Sequence, residues 1–467
     1  MLKTLRIQNF KGWKDTGEIK LSPITLFFGA NSSGKSSIGQ FLMMLKQTAE
    51  STDRKRTLHT GDEESVVNLG SFKNITYMHD SQNELIFEYS WSPAEKLQLF
   101  QEEKNIKEIE FHCSLGSDGK DNPILKKFSY QLFSEDNQKI SFALQLSEAP
   151  KNYGYDLVDG ENCRFKRFKG RVWKTDAALH FYGIPQDLLN YYQNVDFLTD
   201  INLQQERLFS SFFYLGPIRQ APSYLYSWSG YKPEEVGKAG KDTIAALLAG
   251  SSRKYILPDH PRTSKPLQLV IAEALQRMGL INKFEVNSIS EAHQQYEVKI
   301  ATNGTGELVN LPDVGFGISQ ILPVITELFY VPQNSVIIIE QPELHLHPKA
   351  QAELADIMID AINAKENGQK RNIQLLIETH SEHFLRRLMR RIAEDASDEL
   401  NDKISAYFVN TTKHPVSLKN LNIDLFGNIQ NWPKDFFGDE MGDISSQMAA
   451  AIKKRKLQIK TSQKGDK

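Results

Sequence analysis

The sequence predicts a mixed α/β fold, and three observations support that prediction. Residues 24–28 (ITLFF) form an apolar run typical of a buried strand, and residues 36–46 carry the pattern of a helix. Residues 336–339 (VIII) form a second buried-type strand within another α/β stretch at about residues 315–409. Between these halves, short runs of alternating apolar and polar residues indicate antiparallel β-structure. We therefore expect an α/β domain, called the head below, whose two halves are separated along the chain.

Changes in the spacing of apolar and polar residues divide the chain into five segments. They are residues 1–90, the first half of the head; 91–175, a β-rich insertion; 176–285, a helical and loop insertion; 286–425, the second half of the head; and 426–467, a C-terminal segment with a basic tail. Strands are predicted at residues 2–7, 18–21, 84–89, 106–113, 128–133, 140–146, 284–289 and 296–300. Helical spacing extends over about residues 176–214 and 241–280, on either side of a Tyr-, Gly- and Pro-rich loop. The sequence shows no heptad run long enough for a coiled-coil arm.

Composition narrows the class of protein. The chain has 467 residues and a formal net charge of −2, which requires neither nucleic acid nor an anionic membrane as a partner. Its two cysteines, Cys113 and Cys163, are too few for a disulfide framework and suit a reducing compartment. No apolar run approaches the ~20 residues of a membrane span, and the first residues lack a signal-peptide core. We therefore expect a cytoplasmic protein that does not cross a membrane.

The strand at residues 24–28 runs directly into the pattern G-x-x-x-x-G-K-S at residues 29–36. In this P-loop pattern the glycines let backbone N–H groups converge on the phosphates, the lysine adds a positive charge, and the serine hydroxyl can bind Mg²⁺. The helix that follows directs its positive end at the same anion. A Gly-rich turn without nucleotide is disfavoured because a strand precedes it and a helix follows. The predicted ATP-binding residues are Gly29, Asn31, Ser33, Gly34, Lys35, Ser36 and Ser37.

A second constellation surrounds the strand at residues 336–339. The strand ends at Glu340, which we expect beside the P-loop, where it can orient Mg²⁺ together with Ser36. An ordinary acidic loop is the alternative, but two neighbouring features favour the metal site. Upstream, a glycine-rich turn with Gly317 and Ser319 opens a helix and suits phosphate. Downstream, a third apolar strand leads to His380, which can contact a γ-phosphate or a hydrolytic water.

The order of these motifs resembles the ATP-binding cassette (ABC) head, and within that superfamily the soluble branch of RecF, SMC and OLD-type ATPases. Residues 5–13 (LRIQNFKGW) resemble the opening strand and turn of that branch. Residues 340–348 (EQPELHLHP) and 378–382 (ETHSE) resemble bacterial AAA-family ATPases linked to phage defence, among them the ATPase subunit of Septu-type systems. Residues 428–437 also look like a segment of such proteins. The resemblance does not cover residues 90–290.

This resemblance implies an ABC-type α/β P-loop head that works as a dimer. In such heads two copies pack head to tail around two ATP molecules, so that the P-loop of one copy faces the glycine-serine turn of the other. By the resemblance, Gly317 and Ser319 would reach the γ-phosphate bound by the other copy. We therefore expect a homodimer or a higher even oligomer that binds ATP and Mg²⁺.

One position departs from the pattern of related heads. The residue after the strand-end carboxylate is usually a glutamate that polarises the attacking water, whereas this chain has Gln341. An amide can hold a water but cannot accept its proton, and general-base catalysis typically contributes about 10²–10⁴-fold. Glu343 or His380 could compensate. The sequence therefore predicts an ATPase whose hydrolysis is slow.

The sequence lacks the nuclease motif that related systems carry. OLD nucleases carry a Toprim domain with an Asp-x-Asp pair, and the 87 residues after His380 contain no such pair. We therefore expect no intrinsic nuclease activity and predict a nucleotide-dependent regulator of a separate effector, an HNH nuclease, in antiphage defence. The alternative is a RecF-like DNA-binding repair ATPase. A basic run with interleaved aromatics, from Arg164 to Lys174, could contact nucleic acid, although alternation more simply buries the aromatics and solvates the charges.

Overall fold

A computed structural model gives the structure of the protein. It describes residues 1–93, 95–99, 102–136, 138–147, 154–170, 178–290, 294–302, 306–411, 415–433, 442, 445–452 and 454. Some sequence predictions lie wholly or partly outside these residues: the end of the basic run at 171–174, the start of the helical stretch at 176–177, residues 434–437 of the C-terminal segment, and almost all of the basic tail.

The strands, in chain order, are β1 Leu2–Phe10, β2 Trp13–Asp15, β3 Ile19–Lys20, β4 Ile24–Gly29, β5 Leu85–Trp91, β6 Leu97–Leu99, β7 Glu102–Lys104, β8 Ile106–Ser117, β9 Pro123–Ser134, β10 Lys139–Leu146, β11 Tyr155–Asp159, β12 Phe212–Leu215, β13 Tyr226–Ser227, β14 Lys254–Ile256, β15 Ser264–Pro266, β16 Lys283–Ser290, β17 Gln295–Ala301, β18 Leu308–Asn310, β19 Val336–Glu340, β20 Lys365–Glu366, β21 Gln369–Lys370, β22 Gln374–Glu378, β23 Ile404–Asn410 and β24 Ser417–Asn420. The helices are α1 Lys35–Ala49, α2 Phe72–Ile75, α3 Gln186–Leu189, α4 Phe197–Ser210, α5 Thr243–Ala249, α6 Leu267–Arg277, α7 Phe316–Tyr330, α8 Pro348–Asn363, α9 Glu382–Glu394 and α10 Glu399–Asp402.

A six-stranded sheet in the order β12-β19-β22-β4-β23-β24 forms the centre of the head. The first five strands are parallel, and β24 pairs antiparallel with β23. Strands β19 and β22 are buried along their whole length, as their continuous apolar sequences predict for a parallel sheet covered on both faces. Because these strands are parallel, the carboxyl ends of β4, β22 and β19 meet at one edge.

The central sheet separates two hydrophobic clusters. Ile338 and Leu376 face the cluster that contains α1, whereas Ile337 and Leu375 face the cluster that contains α6, α7 and α8. This alternation follows from the two-residue period of a strand. The helix after the P-loop and the helix after the glycine-serine turn therefore lie on opposite faces of one sheet.

An eight-stranded antiparallel sheet accounts for the β-rich part of the chain. Its order is β11-β10-β9-β8-β5-β1-β2, and β3 also pairs with β1. Strands were predicted in each of these stretches except β2 and β11, and the structure confirms them. Because β5 pairs with β1 and β8 pairs with β5, strands β8 to β11 extend a sheet that β1 begins.

Two helical predictions are wrong in part. Residues 212–214, which the sequence placed at the end of a helical stretch, form β12 together with Leu215 at the edge of the central sheet. A run of four apolar residues has no period of its own, so pairing with β19 decides its conformation. The hairpin of β14 and β15 interrupts the other helical stretch, where Pro258 and Pro261 lie between its strands.

The predicted fold class, an ABC-ATPase-like α/β P-loop head interrupted by β-rich and helical segments, is confirmed by this topology. The longest helix among the described residues, α8, has 16 residues, so this part of the chain contains no long coiled coil. None of the helices described is both long and apolar enough to cross a membrane.

Glu327 is a fully buried carboxyl in the middle of α7. Its Oε2 accepts a hydrogen bond from the Val236 N–H at 2.9 Å, whereas its Oε1 has no hydrogen-bond partner. Burial, aided by the nearby Glu235, raises the pKa of Glu327 to about 8. The folded protein therefore holds this carboxyl protonated at neutral pH, at a cost that grows with pH.

Replacing Glu327 with Gln should stabilise the protein at pH 8 and flatten the pH dependence of its stability. The unfolded carboxyl ionises near pH 4.5 and the folded one near pH 8. Between these values the unfolded state loses its proton first, so the wild type loses about 1.4 kcal/mol of unfolding free energy per pH unit. Glutamine cannot ionise and still accepts the Val236 hydrogen bond. Denaturant unfolding at pH 6 and pH 8 measures the difference.

The matched control is Glu63→Gln, which removes an exposed carboxylate. It should leave the wild-type pH dependence in place. Parallel pH profiles for the wild type and Glu327→Gln would contradict the assigned ionisation state.

Candidate active site

The P-loop connects the end of β4 to the start of α1. Gly29 has a φ of +150° and Gly34 a φ of +100°, values that favour glycine. A Cβ on Gly29 would lie 2.9 Å from the carbonyl oxygen of Val409 and 3.1 Å from its Cβ. Both glycines are therefore required by the path of the loop, which passes tightly along β23.

Trp13, on β2, packs against the P-loop and the first turn of α1. Its fully buried indole donates from Nε1 to the Ser37 hydroxyl at 2.8 Å and to the Gly34 carbonyl at 3.2 Å. The Ser37 hydroxyl itself donates to the Gly34 carbonyl. Ser37, predicted to contact phosphate, is therefore held by the protein's own groups in the first turn of α1. Sequence analysis missed Trp13 because only tertiary packing brings β2 under the loop.

The other predicted P-loop residues differ in exposure. Asn31 is exposed and Ser36 is half-buried at the first turn of α1, whereas Ser33 is buried and its hydroxyl has no hydrogen-bond partner. The structure brings all of them to the carboxyl edge of the central sheet, as the motif predicts.

Lys35 is almost fully buried and lies at the centre of the site. Its Nζ donates to the carbonyl oxygens of Gly29 at 3.0 Å and Ala30 at 2.7 Å, and lies 3.7 Å from Glu378 Oε1. Burial lowers the pKa of Lys35, and nearby carboxylates, chiefly Glu378, oppose that shift. The ammonium group is therefore paired with the end of β22 as well as with its own loop.

Two carboxylates end neighbouring strands beside Lys35. In the parallel pairing of β19 with β22, Glu340 lies opposite Glu378. Glu340 Oε1 accepts a hydrogen bond from the Tyr214 hydroxyl at 2.8 Å, and burial raises the pKa of Glu340 to about 7. Glu378 is also buried, and its Oε2 has no hydrogen-bond partner. Sequence analysis did not single out Glu378, although it ends an apolar strand in the same way as Glu340.

Arg219 holds the loop that follows β19. Its guanidinium donates to the carbonyl oxygens of Glu340 at 2.9 Å and Gln341 at 3.3 Å, and burial lowers its pKa to about 10. Gln341 has a φ of +45° and donates its N–H to the carbonyl of Glu378 at 2.8 Å. Hydrogen bonds to both the N–H and the carbonyl group of Gln341 thus hold its left-handed conformation. Arg219 and Tyr214 lie in or beside the Tyr- and Gly-rich loop, where no sequence motif marks them.

Glu343 and His380 form a pair within the site. Glu343 Oε1 accepts a hydrogen bond from the His380 backbone N–H at 2.7 Å, and its Oε2 is buried without a partner. Burial raises the pKa of Glu343. Burial, together with the positive charge of Lys35, lowers the pKa of His380. His380 is therefore neutral at pH 7, and its Nε2, which has no partner, remains available to a ligand.

The glycine-serine turn, residues 313–320, packs on the loop after Glu343 of the same chain. A Cβ on Gly317 would lie 2.9 Å from the His345 carbonyl oxygen, and the Phe316 and His345 rings lie 5.0 Å apart. Ser319 is buried and donates its hydroxyl to the Phe316 carbonyl at 2.8 Å. The exposed residues of the turn include Gly315 and Phe316. Phosphate contact by Gly317 and Ser319 stays a prediction.

Buried polar atoms without partners concentrate at this site. Within the described part of the chain they include Ser33 Oγ, Arg219 Nε, Glu343 Oε2, Glu378 Oε2 and His380 Nε2. Buried polar groups are normally hydrogen-bonded, so such a cluster is expected where a ligand supplies the partners. The carboxylate of Glu340 and the hydroxyl of Ser36 are oxygen ligands of the kind Mg²⁺ takes, so these residues fit the predicted metal.

Three protein families match the chain over separate stretches. Residues 1–207 match the family described as "AAA ATPase domain", and residues 243–386 match "AAA domain, putative AbiEii toxin, Type IV TA system". Residues 401–447 match "Protein of unknown function (DUF3696)". The first match contains the P-loop and the second contains the Glu340–His380 constellation, so each half of the head is similar to an AAA-family ATPase domain. No curated protein matches the chain at a significant level.

Solved structures similar to the protein include three SMC heads. One, described as an SmcHead bound to the C-winged helix domain of ScpA, has 10% identity, covers 91% of this chain and 98% of its own, and gives a TM-score of 0.38. The SMC head domain from Thermotoga maritima has 10% identity, coverages of 90% and 99%, and a TM-score of 0.36. A Pyrococcus furiosus head with an extended coiled coil, bound to the C-terminal domain of ScpA, has 8% identity, coverages of 90% and 96%, and a TM-score of 0.38.

Replacing Lys35 with Ala should abolish ATP binding without unfolding the chain. The substitution removes the positive charge that a P-loop lysine places on the β- and γ-phosphates. Calorimetric titration with a non-hydrolysable ATP analogue and Mg²⁺ measures the loss, and circular dichroism confirms the fold. Lys365→Ala, which removes an exposed lysine from β20, is the control and should bind like the wild type. Wild-type affinity in folded Lys35→Ala would refute the site.

Proposed function

We propose that this protein binds and slowly hydrolyses ATP at the carboxyl edge of its central sheet. The observation that carries the proposal is the cluster of unpartnered buried polar atoms around Lys35, on the P-loop, the loop after β19 and the end of β22. The cluster coincides with the P-loop motif and with two AAA-family matches. Gln341 cannot accept a proton from water, so we expect turnover to be slower than with a glutamate at this position.

Each residue of the site has a separate task in this proposal. Lys35 and the P-loop N–H groups bind the phosphates, and the Ser36 hydroxyl and Glu340 hold Mg²⁺, which neutralises phosphate charge when bound. His380 offers a neutral ring nitrogen to the γ-phosphate or the attacking water. Glu343 positions His380 through its backbone N–H.

We further propose that ATP closes two copies head to tail into a homodimer or a higher even oligomer. The turn at residues 313–320 supports this because it exposes Gly315 and Phe316, the latter 52% exposed, beside the site. Among the described residues other than its two chain neighbours, no atom lies within 4 Å of a Cβ built on Gly315. A second copy could therefore approach the tip of the turn without displacing the chain's own side chains.

Replacing Gly315 with Arg should block ATP-dependent dimerisation while leaving ATP binding to the monomer intact. The open space at this position accepts the side chain, but its bulk lies where the second copy would pack. Sedimentation velocity with and without Mg²⁺ and a non-hydrolysable ATP analogue measures the assembly. Gly170→Arg adds the same charge at another open, exposed glycine and should dimerise normally.

A disulfide crosslink between two copies tests the head-to-tail geometry of the dimer. Asn31→Cys and Gly315→Cys, prepared as separate proteins and mixed, can be joined only between subunits. ATP should promote that crosslink. Equal yields with and without nucleotide would contradict a nucleotide-driven head-to-tail dimer.

The role we propose for this ATPase is regulation of a separate effector, an HNH nuclease, in cytoplasmic antiphage defence. The family matched by residues 243–386 carries a toxin–antitoxin description, which supports a defence role. The C-terminal segment supports a partner because it exposes Phe426 and Trp432, at 79% and 40%. Exposed aromatic side chains of this kind are typical anchors of protein interfaces.

The purified protein alone should cut neither DNA nor RNA, and co-expression with the neighbouring nuclease gene product should give a stable complex whose activity depends on ATP. Phe426→Ala should weaken that complex because it removes the most exposed of these anchors. Leu203→Ala, which removes an exposed side chain from α4, is the control. Co-purification and nuclease assays measure both outcomes. Nuclease activity in the lone protein, or an unchanged complex with Phe426→Ala, would contradict the proposal.

One observation favours the second candidate, a RecF-like DNA-binding ATPase. In the described part of the basic run, Phe165 packs against the hydrophobic core, but Phe168 is 53% exposed between the exposed side chains of Arg167 and Lys169. An exposed ring flanked by cations suits stacking on single-stranded nucleic acid. Tight, ATP-dependent DNA binding that Phe168→Ala abolishes would favour this function over effector regulation.

A further inference from the structure

Glu378 has a position that the sequence motifs do not explain. It ends β22, between the strand of the P-loop and the strand of Glu340, and register places it directly beside Glu340. Its Oε1 lies 3.7 Å from Lys35 Nζ. Because a P-loop lysine reaches the β- and γ-phosphates, a carboxylate next to that ammonium lies at the γ-phosphate end of the site.

The other carboxylates of the site are engaged. Glu340 accepts the Tyr214 hydroxyl and is the residue that fits Mg²⁺. Glu343 accepts the His380 backbone N–H, so it holds the loop. Glu343 and Glu378 each have a buried Oε2 with no hydrogen-bond partner, but of the two it is Glu378 whose other oxygen lies 3.7 Å from Lys35 Nζ. Among the described carboxylates at this edge, Glu378 is therefore the one that combines a free oxygen with contact to the phosphate-binding lysine.

The residue that usually polarises the water is replaced here by Gln341. Its backbone N–H donates to the carbonyl of Glu378, so the loop after β19 and the end of β22 are joined at the point where the base is missing. The backbones of Gln341 and Glu378 are thus in direct contact, and a carboxylate on β22 lies next to the loop position that usually carries one.

We infer that Glu378 is the general base of ATP hydrolysis, an inference that rests on the proposed ATPase function. The water oxygen forms a bond to the γ-phosphorus while the bond between that phosphorus and the β–γ bridging oxygen breaks. ADP leaves with the electron pair of the broken bond. The proton lost by the water passes to Glu378 Oε2, and Lys35 stabilises the charge on the phosphates.

Glu378→Gln tests this role. The amide keeps the size of the side chain and cannot accept the proton, so kcat should fall by about 10²–10⁴-fold. Mg²⁺-ATP binding, measured by calorimetry, should be retained. A second readout is the nucleotide itself: after incubation with ATP, the variant should release unhydrolysed ATP on denaturation, whereas the wild type releases ADP. Gln341→Glu in the Glu378→Gln background should restore turnover by returning a carboxylate to the adjacent loop.

The matched control is Glu382→Gln, four residues along on the first turn of α9, where the carboxylate pairs with Arg386 away from the site. It should turn over ATP like the wild type. Normal turnover in Glu378→Gln would overturn the inference, as would loss of ATP binding in that variant, which would make Glu378 a binding residue. Failure of the wild type to bind Mg²⁺-ATP would instead refute the proposed function itself.

Discussion

The parallel pairing of β22 between β4 and β19 is the constraint on which the site depends. It brings the P-loop, Glu340 and Glu378 to one sheet edge although 349 residues separate Gly29 from Glu378 along the chain. Lys35 then lies between its own loop carbonyls and Glu378. The rest of the head fixes that edge: helices cover both faces of the sheet, and Trp13 holds the first turn of α1 from a different sheet.

The electrostatics of this edge follow from burying several charges together. Glu340, Glu343 and Glu378 lie near two cations, Lys35 and Arg219. Desolvation penalises the ionised forms of Glu340, Glu343, Lys35 and Arg219. Hydrogen bonds from Tyr214 and from backbone N–H groups compensate only part of that cost. Excess negative charge with unpartnered oxygens suits a divalent cation, and the cation in turn suits polyphosphate.

The loop between β12 and α5 links this edge to the glycine-serine turn. Arg219 binds the carbonyls at the end of β19, and farther along the same loop the Tyr224 hydroxyl donates to Asp313 Oδ1 at 2.8 Å. Gly240 approaches α7 so closely that a Cβ there would lie 2.6 Å from Pro323 Cβ. A rearrangement of the carboxylates around a ligand therefore has a short path of direct contacts to the surface where a second copy is proposed to dock.

The sequence by itself determined the fold class, the P-loop, the strand ending at Glu340 and the position of His380, because glycine requirements and continuous apolar strands are local properties of the chain. It did not determine β12, whose four apolar residues become a strand only by pairing with β19. Tyr214, Arg219, Trp13 and Glu378 likewise became part of the site only in the tertiary structure. Their contacts join residues 21 to 343 positions apart, and no local pattern encodes which distant group a side chain will meet.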